Sequence, residues 1–66
     1  MRNIRMITEN NGDIVYINID EILHFYEFIK SYGEDEGLTY LRITFIRGSI
    51  IELNIDIRKF YKQITE

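Results

Sequence analysis

The chain has no cysteine, so neither a disulfide nor a thiolate–metal cluster can brace it. It has no alanine, proline or tryptophan. Without alanine the strongest helix former is missing, while 24 of the 66 residues are Val, Ile, Tyr or Phe. That composition favours strands. No apolar run approaches the roughly 18 residues that a membrane-spanning helix needs. The stretch Met1–Met6 carries two arginines but no apolar core, so no secretory leader is expected. The expected compartment is a bacterial-type cytoplasm. Glycine is sparse: Gly12, Gly33, Gly37 and Gly48 stand alone, so no phosphate-cradling loop can be drawn.

What is present suits one small domain spanning residues 1–66. A chain of this size buries only about 60% of the surface it exposes when unfolded. Net charge is −3, with eight Lys and Arg against eleven Asp and Glu, which argues against a nucleic-acid backbone as the main partner.

Two hairpins can be read from the alternation of side chains. Asn3–Glu9 and Ile14–Asn18 flank Asn11-Gly12, a strong hairpin signal. Leu38–Ile46 alternates Leu41, Ile43 and Phe45 with Tyr40, Arg42 and Thr44, and turns through Arg47-Gly48-Ser49 into Ile50–Ile55. Between the hairpins, Asp20-Glu21 should form a short acidic turn. The segment Ile22–Ile29 that follows is apolar on both faces, and its aromatics favour a strand.

Last, Ile57, Phe60, Tyr61 and Ile64 fall on one helical stripe behind an N-cap at Asp56. The expected fold is α+β: a small twisted antiparallel five-stranded sheet, two hairpins plus a central strand, with the C-terminal helix packed on one face. Its core is read as Val15, Ile17, Ile19, Leu23, Phe25, Leu41, Ile43, Phe45, Ile51, Leu53, Ile57, Phe60 and Ile64.

One helix covers one sheet face, yet the opposite phase of the strands is also apolar. It carries Tyr16, His24, Tyr26, Phe28 and Tyr40, an aromatic surface suited to a partner protein or to a second copy of the chain. The alternative is that the sheet curls and these rings fill it. Glu34, Asp35 and Glu36 lie between glycines in a loop, too short and too consecutive for a calcium site. They read as a solvated acidic rim to the same surface.

His24 is the one histidine, with no cysteine near it and no nucleophile motif, so it reads as a strand residue and neither a metal ligand nor a base. No catalytic residue, metal or cofactor is expected. A phosphate-mimicking inhibitor of a host nucleic-acid enzyme, acting through Glu34, Asp35 and Glu36, is one alternative function. A module that stacks single-stranded bases on Tyr40 beside Arg42 is another.

The run Asn11-Gly12-Asp13-Ile14-Val15-Tyr16-Ile17-Asn18-Ile19-Asp20-Glu21-Ile22 resembles the opening of the small flagellar FlbD (SwrD) proteins. The following strands, the turn at Gly48 and the final helix match that family in outline. The acidic insertion Tyr32–Gly37, the aromatic content of Ile22–Ile29 and the Arg47-Gly48-Ser49 turn depart from it. A more distant likeness is to LytTR domains, which are longer and more basic. The flagellar resemblance implies a small, non-catalytic cytoplasmic accessory protein that works by binding another protein.

Overall fold

A computed structural model describes residues 3–30 and 37–66. Five strands and one helix follow in order: β1 (Ile4–Thr8), β2 (Ile14–Asn18), β3 (Ile22–Lys30), β4 (Leu38–Phe45), β5 (Ile50–Leu53) and α1 (Ile57–Thr65). The α+β class and the strand count agree with the sequence reading. The single five-stranded sheet does not. β1 and β2 form a two-stranded antiparallel sheet, and β3, β4 and β5 form a separate antiparallel sheet in the order β3–β4–β5.

The break has a local cause. The Asn18 side chain accepts a hydrogen bond from the Asp20 N–H (3.2 Å) and caps a 3₁₀ turn at Ile19–Glu21. An Asx cap of this kind gives the backbone a partner outside any ladder, so the chain leaves the first sheet instead of folding back beside β2. The Ile46 N–H then ties the end of β4 to the Glu21 carbonyl.

Both hairpins close in the same way. Gly12 N–H donates to the Glu9 carbonyl and Glu9 N–H to the Asp13 carbonyl; Gly48 N–H donates to the Phe45 carbonyl and Phe45 N–H to the Ser49 carbonyl. Each is therefore a three-residue loop whose last residue is a glycine in the left-handed region, φ 91° at Gly12 and 94° at Gly48. Asn11 keeps an ordinary negative φ and instead accepts from the Asp13 N–H. The Asn-Gly pair thus works as the end of a three-residue loop in which only the glycine takes a positive φ.

One core joins both sheets and the helix: Ile7, Ile17, Leu41, Ile43, Leu53, Ile55 and Phe60. Val15, Ile19, Phe25, Phe45, Ile51, Ile57 and Ile64 pack around it, as expected. Four positions differ. Ile7 and Ile55 are fully buried and Ile22 packs against the core although all three lie outside the expected core, and Leu23 is 60% exposed although within it. A bulge between Ile22 and His24 explains the last. Ile22 pairs with Phe45 and His24 with its neighbour Thr44, so Leu23 is the extra residue of the bulge and Ile22 packs against the core instead.

Two carboxylates hold the start of α1. Asp56 accepts from the Lys59 N–H (2.7 Å), the expected N-cap, and Glu27 reaches across from β3 to accept from the Ile57 N–H (2.9 Å). Phe60 meets Phe25 edge-on at 5.1 Å between ring centres. The Gln63 amide grips the Thr8 backbone, accepting from its N–H (2.8 Å) and donating to its carbonyl (3.2 Å), which ties the helix to the open edge of β1. No helix among the described residues is long and apolar enough to cross a membrane.

Candidate functional site: the outer face of the three-stranded sheet

With Phe25 turned to the helix, alternation turns His24, Tyr26 and Phe28 to the other side of β3. The ladder sets Phe28 opposite Tyr40, Tyr26 opposite Arg42, and Arg42 in turn opposite Glu52. Four of the five expected aromatic and histidine positions therefore share one face. Neighbouring rings approach on it: Phe28 and Tyr40 have centres 6.1 Å apart, and His24 and Tyr26 stack at 6.5 Å.

The face is not bare aromatic surface, because two cations are laid across it. Arg42 sits 4.4 Å from the centre of the Phe28 ring and 5.7 Å from that of Tyr26, and donates through Nη1 to the Tyr26 hydroxyl (2.8 Å). Lys30 Nζ stands 4.7 Å over Tyr40 and 5.7 Å from the Phe28 ring centre. Glu52 ties the two cations together: its Oε1 pairs with Lys30 (2.6 Å) and its Oε2 with Arg42 Nη2 (2.8 Å). The bonds from Lys30, and then from Arg42, hold the Glu52 carboxyl below its ordinary range. The same contact with Glu52, helped by the Tyr26 hydroxyl, raises the Arg42 guanidinium further above its already high range. Each partner is about one-third exposed, so water screens the pairs and they fix geometry more than they add stability.

This arrangement was only half readable. Alternation along Leu38–Ile46 places Tyr40 and Arg42 on one face, but it does not by itself bring Glu52 to them. The Arg47-Gly48-Ser49 turn sets the register that places Arg42 opposite Glu52, so that pair could have been found. Lys30 reaches Glu52 from β3, two strands away, and no local pattern signals it.

Tyr16 does not join this face. It lies on β2 in the other sheet, opposite Met6, with 68% of its surface exposed. Ile4, Met6, Ile14 and Tyr16 lie on the outward phase of the hairpin, a second apolar surface that sequence reasoning left undivided from the first. Tyr16 also borders an open groove of about 340 Å³, shared with Asn18, Phe45, Arg47, Ser49 and Ile51. Glu34, Asp35 and Glu36 lie outside the described residues. Among the described residues no group of three or more His, Asp or Glu converges as a metal site.

No family model, curated protein or solved structure matches this chain. The likeness to the flagellar FlbD proteins therefore rests on the residues that carry it.

Proposed function

We propose that the chain is a small, non-enzymatic regulatory module, of the FlbD type, that docks a partner protein on the outer face of its three-stranded sheet. Its expected place of action is the cytoplasm. The observation that carries this reading is the composition of that face: Tyr26, Phe28 and Tyr40 side by side, with Arg42 and Lys30 held against the rings. Tyr and Arg are the residues most enriched where protein interfaces concentrate their binding energy. Side chains already fixed by Glu52 lose little further freedom when a partner covers them.

The same geometry argues against base stacking. Both cations are engaged by a carboxylate that would face any phosphate, and the rings a base would need are covered by the cations. The reading of an acidic mimic depends on Glu34, Asp35 and Glu36 and gains no support from the face described.

The test is affinity capture from the source cell with the chain as bait, comparing wild type with Tyr26→Ala/Phe28→Ala. Circular dichroism verifies that the fold survives in the variant. Loss of the captured partner is the expected result. Capture that survives this change but fails in Met6→Lys/Tyr16→Lys would move the docking surface to the hairpin and overturn the assignment.

A further inference from the structure

β3 is an outer strand, paired with β4 on one edge, and among the described residues no strand pairs with its other edge. The ladder shows which groups that edge presents. Phe45 donates to Ser49 across the β4–β5 turn, so Phe45, Ile43 and Leu41 direct their backbone polar groups toward β5. Alternation directs Thr44, Arg42 and Tyr40 toward β3, where they meet His24, Tyr26 and Phe28. The N–H and C=O groups of Phe25, Glu27 and Ile29 consequently point out of the sheet.

Open edges are commonly blunted by shortness, proline, lysine or bulges. This one is nine residues long and has no proline. Its bulge is confined to Ile22–His24, and its lysine, at the far end, is drawn to Glu52. Phe25–Ile29 is left regular, and at either end of the strand stands a large exposed aliphatic side chain, Leu23 (60%) and Ile29 (70%).

We propose that β3 is the two-fold interface of a homodimer, pairing antiparallel with β3 of a second copy about an axis through Tyr26. The strand is self-complementary in that register. Leu23 meets Ile29 of the other copy, His24 meets Phe28, and Phe25 exchanges backbone hydrogen bonds with Glu27. Moving the axis to Glu27 would set two carboxylates directly opposite each other, which is unfavourable.

The pairing would create a continuous six-stranded sheet and join two aromatic faces into one. The strand spans about 30 Å, and with roughly 10–12 Å of sheet thickness it covers some 300–350 Å² per copy, less than half of a standard interface. An interface of that size belongs with weak, transient associations, dissociating in roughly the micromolar-to-millimolar range. Each copy carries a charge of −3, so added salt strengthens the association. The dimer can nevertheless be tested apart from partner docking, since Leu23 and Ile29 lie outside the aromatic face and can be changed without altering it.

Cysteine placement tests the axis, and the cysteine-free chain makes the readout clean. In this register the two Tyr26 residues form a non-hydrogen-bonded pair with Cα atoms about 4.5 Å apart, within the range a disulfide spans. Oxidation at about 100 μM should give a disulfide dimer from Tyr26→Cys and little from Glu27→Cys or from the hairpin control Tyr16→Cys. Sedimentation of wild type should show dimer growing between about 10 μM and 1 mM. Leu23→Lys/Ile29→Lys should abolish that dimer, while Leu23→Lys/Ile29→Glu should retain it through Lys–Glu pairs between copies. A wild type monomeric at 1 mM overturns the proposal, as does cross-linking that favours Glu27→Cys or proceeds equally at Tyr16→Cys. Partner capture that persists in the Lys/Lys variant separates loss of the dimer from failure of the docking reading.

Discussion

Two neighbours on the helix stripe, Phe60 and Tyr61, should respond to truncation in opposite ways. Phe60 is fully buried, packed edge-on against Phe25 and surrounded by the core that joins both sheets. Phe60→Ala removes that ring and leaves a cavity, at a cost of about 3–5 kcal/mol. A 66-residue domain has roughly 3–10 kcal/mol of total stability, so this variant sits at or beyond the edge of unfolding. Phe60→Leu keeps part of the volume, should cost about 1–2 kcal/mol, and stays measurable.

Tyr61 is 60% exposed, and Tyr61→Ala should fall within about 0.5 kcal/mol of wild type. Urea unfolding followed by circular dichroism gives each value, with an unchanged m-value verifying that the unfolding transition is comparable. If Phe60→Leu matches wild type, or Tyr61→Ala costs as much as Phe60→Leu, the reasoning about how α1 seats on the sheet fails.

Gln63→Ala should release the Thr8 backbone from the helix. The contact is exposed and water can replace it, so the loss is about 0.5–1 kcal/mol, read as roughly two- to fivefold faster hydrogen exchange at the Thr8 amide. Unchanged protection at Thr8 would show that the amide clamp does not form in solution. For pH, Glu52 ionises more readily in the folded chain than its ordinary value of 4.5, so its network stabilises the fold above that pH and is lost as pH falls through the lower folded value. Carboxyl NMR titration should place the Glu52 transition below 4.5, and Glu52→Gln should abolish the accompanying shift of the Arg42 Nε–H signal; a transition at or above 4.5 contradicts the pairing.

Strand number, both hairpins, the Asp56 cap and most of the core were legible because each rests on local chemistry. A glycine free to adopt positive φ, a carboxylate before a helical stripe, and alternation with period two all act within a few residues. The division into two sheets was not legible in this way. It depends on whether β2 and β3 pair across Ile19–Glu21, and a three-residue turn held by one Asn18 side chain settles that without altering the hydrophobic pattern on either side. Ile55 continues the phase of Ile51 and Leu53, but the expected core stopped at Leu53; β5 ends there, and the chain beyond it still carries Ile55 into the core and buries it completely.

The aromatic face shows how far alternation can be trusted. A slip of one residue sends every side chain of a strand to its other face, and β3 contains such a slip. Counting back from Phe25 by twos puts Leu23 in the core; the bulge places Ile22 there instead and leaves Leu23 exposed. The error stops at His24, because from there to Lys30 the pairing with β4 is regular. His24, Tyr26 and Phe28 were therefore assigned correctly by the same count that failed at Leu23. The residue left over from that count is one of the two aliphatics that give the open edge of β3 its self-complementarity, so the departure from alternation and the proposed dimer contact come from a single inserted residue.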